Sequence, residues 1–449
     1  MNHIAPPPLR RMNIAVIGTG IAGMSAAWLL NRNHDVTIFE KNGYVGGHSN
    51  TVDAARPDGS TPVDTGFIVY NERNYPNLVA LFEHLDVPTK DSDMSFAASL
   101  RGGGFEYAGT NLNGLLGQRR NTLRPSFWRM ISDVLRFYRD APALLANPSA
   151  ADLSLGRYLH DNGYSRSFID NHLLPMGAAI WSTTAPEMEA YPAQAFIRFF
   201  QSHGLLLVKD RPQWRTVDGG SREYVKRLTA GYRDRIQFGG VRSVRREGEK
   251  VLIEDAAGTI SAFDHVVIAT HADEAYALIA DPSDLETRYL GGWRYTHNRA
   301  VLHCDPSLMP KRKRVWSSWN FIEDARTDAA GPLCVTYWMN LLQGLETEQP
   351  LFVTLNPVRE PAAKDILAEF DYTHPYFDTA ALQAQQRMWA LQGERRTWFC
   401  GSYFGYGFHE DALQSGLAVA EQLGGARRPW SVPNENGRIH VSPAQVMAA

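Results

Sequence analysis

The stretch that decides the fold is Ile14-Ala15-Val16-Ile17-Gly18-Thr19-Gly20-Ile21-Ala22-Gly23, near the start of a 449-residue chain. A β-branched strand ends at Gly18, which allows a tight turn; Gly20 lets the backbone approach a pyrophosphate, and Gly23 lets the next helix pack closely on the sheet. The free N–H groups at the start of that helix would bind the phosphates. The motif therefore predicts dinucleotide binding, with cofactor contacts from Gly18, Gly20, Ile21, Ala22 and Gly23.

An acidic residue supports this interpretation. Glu40 closes the second predicted strand, 36–39, where a carboxylate can accept hydrogen bonds from both ribose hydroxyls of an adenosine. Because an acid at this position disfavours a 2′-phosphate, FAD or NAD fits better than NADP. Lys41 follows directly and is counted among the expected cofactor contacts. The alternative is a coincidental strand–turn–helix unit that binds nothing.

The composition excludes two classes of partner. The 45 basic and 48 acidic side chains give a formal net charge of −3, which provides no field for attracting nucleic acid. Cys304, Cys334 and Cys400 are far apart and form no Cys-x-x-Cys pair, so we expect buried, reduced thiols. The fourteen histidines form no His-x-His or His-Glu-x-x-His cluster. We therefore expect neither a nucleic-acid partner nor a metal site.

The hydropathy pattern predicts a cytoplasmic protein. Residues 1–11, with Pro6-Pro7-Pro8, lack the apolar core of a secretory signal and are expected to form a short disordered lead. No apolar run approaches the roughly 20 residues that a spanning helix needs. The run Gly204 to Val208, for example, stops at Lys209. If the protein meets a membrane, we expect a peripheral contact at its inner face.

Strand patterns recur far from the N-terminus, so the cofactor domain is expected to be assembled from three separated pieces. The later predicted strands are 241–245, 250–254, 259–263, 265–270 and 397–401. A helix is predicted over 409–423, ended by Gly424-Gly425. Of the two insertions, residues 75–209 are expected to be mostly helical, and residues 291–395 carry Trp, Tyr, Val and Thr at strand spacing. In the first insertion a single helix face is predicted from Phe127, Ile131, Val134, Leu135 and Tyr138.

Further motifs follow in order along the chain. They are Gly46-Gly47, Asp64-Thr65-Gly66-Phe67, Val217-Asp218-Gly219-Gly220-Ser221, Ile268-Ala269-Thr270, and Gly401-Ser402 with 407–420. Backbone that passes close beside a cofactor needs residues without a β-carbon. Together with the first motif, this ordered set resembles the flavin-containing amine oxidase and phytoene desaturase superfamily.

The resemblance implies an α/β fold in which a segmented Rossmann-like FAD-binding domain, of the glutathione-reductase type, carries an inserted α+β substrate domain. The expected boundaries are 1–74, 210–290 and 396–449 for the FAD-binding domain, and 75–209 and 291–395 for the substrate domain. Family enzymes with a covalent flavin attach it through a cysteine well upstream of the C-terminal motif. Cys400 does not match that position, so FAD is expected to be held non-covalently.

The resemblance also implies cofactor contacts beyond the first motif. His48 stands where the family usually has Arg, so a permanent positive charge on the phosphates cannot be inferred. Val241 matches a position whose backbone meets the adenine, although a plain strand valine is the alternative. The further expected contacts are Gly46, Gly47, His48, Thr51, Asp64, Thr65, Gly66, Phe67, Val241, Thr270, Gly401, Ser402, Phe408, His409, Glu410, Asp411 and Ala412.

The C-terminal motif is expected to stabilise reduced flavin. In the family this helix points its N-terminus at the flavin O2 and N1 edge, where negative charge accumulates on reduction. Here the helix would begin near His409, and the carboxylates of Glu410 and Asp411 oppose that stabilisation unless they point away. Capping of the helix is the alternative role for both acids.

The substrate is expected to be apolar. Phe408 aligns with an aromatic wall beside the flavin, with Tyr406 nearby, although aromatics in such a loop can equally be core. Segments 173–182 and 337–340 are apolar with isolated polar atoms, as in a pocket wall. With His303 and Trp319, they are similar to a bacterial branch of fatty-acyl desaturases. The expected substrate contacts are Trp181, Trp319, Trp338, Asn340, Tyr406 and Phe408.

Helix 124–139 is relevant to membrane contact. It combines a broad apolar face with basic residues on its other side, a pattern that can lie on an anionic membrane surface. A helix packed on the core with a solvated polar face is the alternative.

The sequence thus predicts an FAD-dependent dehydrogenase or desaturase that removes hydride to flavin N5 from a carbon of an apolar, fatty-acyl or lipid-like substrate. The candidate proton acceptors are His409, His303 and Tyr337. A flavin amine oxidase is one alternative, disfavoured because no lysine falls in an evident strand near the flavin. A redox-neutral isomerase, or a protein that holds FAD without catalysis, is the other.

Overall fold

The computed structural model describes residues 10–56, 59–150, 152–181, 183–324 and 333–442. Residues 1–9 of the expected disordered lead lie outside the described residues. The strands, in chain order, are β1 (Asn13–Ile17), β2 (Asp35–Glu40), β3 (Thr51–Arg56), β4 (Gly59–Asp64), β5 (Val69–Asn71), β6 (Thr89–Ser92), β7 (Phe96–Leu100), β8 (Phe105–Ala108), β9 (Trp214–Val217), β10 (Ile236–Phe238), β11 (Val241–Glu247), β12 (Lys250–Asp255), β13 (Ile260–Phe263), β14 (His265–Ile268), β15 (Arg294–His303), β16 (Trp319–Ile322), β17 (Cys334–Trp338), β18 (Phe352–Leu355), β19 (Ile366–Tyr376) and β20 (Thr397–Phe399).

The helices are α1 (Ile21–Leu30), α2 (Pro76–His84), α3 (Leu112–Leu115), α4 (Pro125–Asp140), α5 (Leu155–Asp161), α6 (Arg166–Phe168), α7 (Leu174–Trp181), α8 (Ala185–Ala190), α9 (Ala193–Ser202), α10 (Arg222–Thr229), α11 (Ala272–Leu278), α12 (Asp284–Tyr289), α13 (Met339–Leu342), α14 (Thr379–Gln385) and α15 (His409–Gln422). A π-helical turn, Ile169–Leu173, joins α6 to α7. No helix in these described ranges is both long enough and apolar enough to cross a membrane.

A five-stranded parallel sheet holds the first glycine motif. Its order is β10-β2-β1-β14-β20, so it takes strands from three separated parts of the chain. Its central strand β1 is buried on both faces, which matches the unbroken apolar run in the sequence. The strands predicted at both ends of this chain and in its middle are confirmed to within a few residues.

The second large sheet has seven strands in the order β19-β15-β18-β17-β16-β7-β8. Most of its strands come from residues 294–376, as the Trp- and Val-rich pattern predicted. The first insertion is not purely helical, because its segment 89–108 forms β6, β7 and β8. β7 is rich in small residues and has a weak strand signal, and it is held by parallel pairing with β16, far away in sequence.

Helix α4 confirms the predicted element and, except at Leu135, its predicted face. The structure buries Phe127, Met130, Asp133 and Phe137, whereas Leu135 is 53% exposed. Asp133 turns inward because its carboxylate accepts the Ser165 N–H at 3.0 Å and pairs with Arg136. Ile131, Val134 and Tyr138 are partly buried and pack on the core, so the apolar periodicity was wrong at Leu135 and did not reveal the buried Asp133.

Helices α1 and α15 pack directly on each other. A β-carbon at Gly416 of α15 would lie 2.2 Å from the Ala22 carbonyl oxygen of α1, so only glycine allows this approach. The contact brings the N-terminal ends of both helices to one side of the parallel sheet.

Candidate cofactor and substrate cavity

A cavity of about 1210 Å³ lies between the parallel sheet, the seven-stranded sheet and the helical insertion. Of the expected cofactor contacts, those that line it are Gly18, Gly20, Ile21, Ala22, Glu40, Lys41, Gly46, Gly47, His48, Thr65, Gly66, Phe67, Val241, Thr270, Gly401, Ser402, Phe408, His409 and Ala412. Of the expected catalytic and substrate residues, those that line it are His409, Tyr337, Trp181, Trp319, Tyr406 and Phe408. The structure thus brings together residues that are hundreds of positions apart.

The turn between β1 and α1 is shaped for a pyrophosphate. Gly18 has φ +101°, and a β-carbon there would lie 2.7 Å from the Ala269 carbonyl oxygen. A β-carbon at Gly23 would lie 2.0 Å from the Gly18 carbonyl oxygen. At Gly20, in contrast, an added β-carbon would meet no protein atom within 4 Å, and no side chain caps α1. The free N–H groups of α1 therefore face open space, as a bound diphosphate requires.

Glu40 is held firmly at the carboxyl end of β2. Its carboxylate accepts the Thr19 N–H at 3.0 Å and the Asn42 N–H at 2.7 Å. The Thr19 hydroxyl donates to it as well, and because a carboxylate has about four acceptor positions, one remains for a ribose hydroxyl. Lys41 lines the same end and pairs with Glu274. These residues fit the adenosine half of FAD.

His48 does not replace the missing arginine with a charge. Its ring lies 5.0 Å from Tyr372, 5.5 Å from His374 and 6.2 Å from His271, measured between centroids. Burial, with the neighbouring imidazoles, lowers the pKa of His48 well below its usual value. Its Nε2 is buried and has no hydrogen-bond partner among the residues that the structure describes. This orphaned polar atom leaves a hydrogen-bonding position for a bound cofactor.

The two acids at the start of α15 point away from the cavity. Glu410 accepts the backbone N–H groups of Asn77 at 3.1 Å and Leu78 at 3.0 Å, so it caps α2. Asp411 accepts the Phe408 N–H at 2.8 Å and pairs with Arg438 at 2.8 Å. Neither acid lines the cavity. Asp411 caps its own helix α15, as in the capping alternative, whereas Glu410 caps the neighbouring helix α2. The positive end of α15 is left available to the cavity.

Glu410→Ala is expected to destabilise the protein. The substitution leaves two N–H groups of α2 and the Asn77 amide without their buried acceptor, which costs about 2–4 kcal/mol in unfolding free energy. Chemical denaturation followed by tryptophan fluorescence measures the loss. Glu83→Ala, at an exposed position on the same helix, is the matched control and should change the unfolding free energy by less than about 0.5 kcal/mol. Equal stability of the two variants would contradict the capping role.

His409 lines the cavity but is engaged by the protein. Its ring stacks on Phe67 with centroids 3.8 Å apart, and the Tyr224 hydroxyl lies 2.8 Å from its Nε2. Burial lowers the pKa of His409 to about 3. It is therefore a neutral ring that helps to shape the cavity.

Several expected site residues lie outside the cavity lining. Among the expected contacts these are Gly23, Thr51, Asp64, His303, Trp338, Asn340, Glu410 and Asp411. Asp64 accepts the Thr51 hydroxyl at 2.6 Å and the Ser221 N–H at 2.9 Å, and burial raises the pKa of Asp64 to about 6. It therefore joins β4 to the Gly219–Gly220 turn instead of meeting a cofactor directly.

The structure removes His303 from the candidate proton acceptors. Its Nε2 lies 2.7 Å from the Thr354 hydroxyl within the seven-stranded sheet, and its Nδ1 accepts the Asp305 N–H. Asn340 likewise bonds three backbone groups of the turn that follows it, at Thr347, Gln349 and Leu351. Trp338 packs edge-on against Trp316. All three positions were expected at the site because the sequence does not reveal on which side of the sheet a residue lies.

The substrate end of the cavity is walled by stacked rings. Phe199 lies 4.7 Å from Trp181, 4.9 Å from Phe408 and 3.8 Å from His203, centroid to centroid. Trp319 and Tyr337 line it from the seven-stranded sheet. This end therefore offers an apolar surface beside Phe408.

Two histidines of this chamber were not predicted. His203 Nδ1 lies 3.0 Å from the Phe199 carbonyl oxygen, which only accepts, so Nδ1 carries the proton and Nε2 has a lone pair. His172, in the π-helical turn, bonds the Tyr107 hydroxyl through Nδ1 at 2.9 Å. Both Nε2 atoms are buried, and neither has a hydrogen-bond partner in the described part of the chain. Burial lowers the pKa of His203 to about 3 and that of His172 to about 4.

No group of three or more His, Cys, Asp or Glu side chains within the described ranges is arranged to hold a metal ion. The glycine turn, the acid at β2 and the unpartnered polar atoms instead fit a bound dinucleotide, and aromatic rings line the other part of the same cavity.

Residues 21–343, more than half of the chain, match the family described as flavin containing amine oxidoreductase. The protein belongs to this family, whose members bind FAD, and it is a flavin-dependent oxidoreductase by class. Both the fold class and the cofactor predicted from the sequence are thereby confirmed. None of the curated protein sequences matches the chain significantly.

Solved structures share the fold at low sequence identity. A CLA-producing fatty acid isomerase from P. acnes has a TM-score of 0.65 at 15% identity and covers 92% of this chain and 99% of its own. Cyclohexylamine oxidase from Brevibacterium oxydans IH-35A has a TM-score of 0.64 at 15% identity over the same shares. A putative protoporphyrinogen oxidase from Exiguobacterium sp. 255-15 has a TM-score of 0.63 at 14% identity, with 92% and 98% covered. These similarities establish the architecture and leave the substrate open.

Proposed function

We propose that this protein is an FAD-dependent dehydrogenase that forms a C=C bond in an apolar, fatty-acyl or lipid-like substrate. The observation that carries the proposal is the chamber beside Phe408, whose walls are the rings of Trp181, Phe199 and Trp319. An extended apolar chain gains free energy from burial in such a chamber, at roughly 25 cal/mol per Å².

FAD, when bound, supplies the acceptor for the hydride. We assign the accompanying proton to His203 Nε2, since the Phe199 carbonyl fixes the tautomer that leaves this atom as a lone-pair acceptor. The C–H bond to the proton and the C–H bond to the hydride both break, and the remaining electron pair forms the new double bond. A neutral imidazole suffices because a proton beside an electron-deficient carbon is acidic. His409 and Tyr337 remain the alternative acceptors.

His203→Gln is expected to slow reduction of bound FAD by about 10²- to 10⁴-fold, the usual contribution of a positioned base. The flavin absorbance and the FAD affinity should stay unchanged, because His203 is expected to contact the substrate and not the cofactor. Stopped-flow absorbance under anaerobic conditions measures the rate. The exposed His160→Gln is the control. A wild-type rate in His203→Gln would transfer the role to His409 or Tyr337.

Amine oxidation is the second candidate, favoured by the facing rings of Phe199 and Phe408. A protonated amine also needs a carboxylate. Of the described lining acids, Glu40, Asp93, Glu274 and Glu369 already bond protein groups, and Asp371 is exposed to solvent. The lining lysine, Lys41, lies at the adenosine end. The apolar substrate is therefore the better match.

Anaerobic titration of the purified yellow protein with phospholipids, free fatty acids and amines tests the proposal. We expect loss of flavin absorbance with a lipid and none with amines. Bleaching by an amine alone would establish amine oxidation. Product formation from a lipid without bleaching would establish a redox-neutral isomerase, and no response to either lipid class would overturn the proposal.

We further propose how FAD is held, where the two domains begin and end, and where the protein works. FAD is held without a covalent bond, which release of intact FAD on denaturation would test. The FAD-binding domain comprises 1–74, 210–290 and 396–449, and the substrate domain comprises 75–209 and 291–395. The protein works in the cytoplasm and reaches lipids from the membrane surface.

A further inference from the structure

Away from the cofactor cavity, four arginines converge on a second, smaller cavity. It is lined by Arg101, Arg120, Arg124 and Arg166, by the exposed Leu123, and by Ser126 and Ser167. We propose that this arginine pocket binds the phosphate of an anionic phospholipid, and that the protein docks by this face on the bilayer from which it takes its substrate.

The arginines of the pocket are crowded without matching acids. The Arg120 and Arg124 guanidinium groups donate to the same Gly104 carbonyl oxygen, at 3.1 and 3.2 Å. Arg101 and Arg124 both lie 5.8 Å from the centre of the Phe105 ring. Like charges held this closely repel each other, and an anion that bridges them removes the repulsion.

The acids around the pocket are fewer than its four arginines, and two of them already pair with Arg166. Asp170 lines the pocket and pairs with Arg166 at 3.1 Å, and Glu189 pairs with the same arginine at 3.3 Å. Glu323 faces Arg101 from the neighbouring sheet. The segment from residue 101 to residue 132 carries five arginines and one glutamate, Glu106, which is buried and paired with Arg312. The local charge is therefore strongly positive although the whole chain is slightly acidic.

Apolar side chains stand exposed beside the pocket. Leu123 is 84% exposed, and Trp128, whose indole N–H donates to the Thr122 carbonyl, is 51% exposed. Leu135 lies on the same face of α4, two turns further on, and is 53% exposed. A row of exposed Trp and Leu between arginines is typical of a helix that lies in a membrane interface, where rings enter the headgroup region and cations meet lipid phosphates.

Helix α4 also connects this face to the chemistry. Tyr138, one turn after Leu135, lines the cofactor and substrate cavity. The phosphate of a lipid at the N-terminal end of α4 and an acyl chain entering near Tyr138 would therefore follow one helix. This delivery role rests on the proposed function, whereas docking itself does not.

Flotation of the FAD-loaded full chain with lipid vesicles tests the proposal. We expect binding to phosphatidylcholine vesicles that contain phosphatidylglycerol, weakened by added salt, and little binding to phosphatidylcholine alone. The double variant Arg120→Gln/Arg124→Gln should bind about 30-fold more weakly, since each basic residue at the surface contributes a factor of roughly five. Leu123→Glu should also weaken binding. The matched control is Arg233→Gln/Arg288→Gln, which removes the same charge from exposed positions outside this face.

The outcomes separate this proposal from the proposed function. Binding of the double variant as tight as that of the control, or no binding of the wild-type chain to anionic vesicles, would overturn docking. Stabilisation by inorganic phosphate without vesicle binding would also overturn it and leave a soluble anion site. Vesicle binding needs no turnover, so an absence of lipid oxidation would leave docking intact. Bleaching of FAD by dispersed lipid without vesicle binding would keep the enzyme and remove the membrane.

Discussion

Gly20→Val is expected to yield a folded, colourless protein. The position has φ −61° and ψ 170°, which valine adopts readily, and its β-carbon would meet no protein atom within 4 Å. The isopropyl group would instead occupy the space in front of the α1 N-terminus that a diphosphate needs. We expect at least about 1000-fold weaker FAD binding, equivalent to about 4 kcal/mol, with an apoprotein melting temperature close to the wild-type value.

Visible absorbance of the purified variant and titration of its apoprotein with FAD measure the effect. Gly43→Val is the matched control, because an added β-carbon there also meets nothing and the residue does not line the cavity. This control should remain yellow. A Gly20→Val protein that retains stoichiometric FAD would contradict the placement of the diphosphate at α1.

Acidification is expected to destabilise the fold steeply, and to do so at pH values well above those at which ordinary carboxylates titrate. Burial depresses the pKa of five histidines of the cavity region, to about 4 for His172 and His374, to about 3 for His203 and His409, and well below its usual value for His48. The unfolded chain protonates these groups near pH 6.5, whereas the folded chain does not. Stability is therefore lost as the pH falls through 6.5 towards about 4. Each of the four histidines with a pKa of about 3 or 4 costs about 2 kcal/mol at pH 5.

One group acts in the opposite direction. Burial raises the pKa of Asp64 to about 6, so its contribution to stability rises as the pH falls through 6. The histidines outnumber it, and a net loss of several kcal/mol between pH 7.5 and pH 5 is expected. Chemical denaturation of the apoprotein at several pH values measures the slope. His203→Gln should reduce the slope of unfolding free energy against pH by the equivalent of about one proton taken up on unfolding. His160→Gln, at an 88% exposed side chain, should leave this slope unchanged. A stability independent of pH over this range would contradict the buried, neutral histidines.

The sequence revealed what local chemistry determines. The turn requires glycine at Gly18 and Gly23 whatever the rest of the chain does, so it can be recognised from the sequence. Glu40 can be recognised as well, because the length of the strand–helix–strand unit fixes its distance along the chain. Four strands of the parallel sheet, β1, β2, β14 and β20, were predictable from their apolar runs, whereas the short β10 (Ile-Gln-Phe) has no such run and was not predicted. The family then identified FAD.

The remaining site residues depend on contacts between distant segments. His303 and His203 are both isolated histidines among apolar neighbours, and only the pairing of β15 with β18 and the position of α9 distinguish a sheet histidine from one that lines the chamber. The predicted face of α4 was wrong at Leu135 and omitted Asp133, which is buried by a partner at Ser165 that periodicity does not reveal. Side-chain partners of this kind follow from the tertiary structure.

The contact between Gly416 and Ala22 has a mechanical consequence. Ala22 and Ala412, near the starts of α1 and α15, both line the cavity, and the two helices touch backbone to backbone behind it. The direct packing of α1 on α15 thus fixes the distance between their N-terminal ends, which lie at the two ends of the cofactor site. This distance is already set in the protein before the cofactor binds. A larger side chain at Gly416 would push the two helices apart and lengthen the cofactor site. Gly416 therefore affects how well the cofactor fits although it does not contact the cofactor.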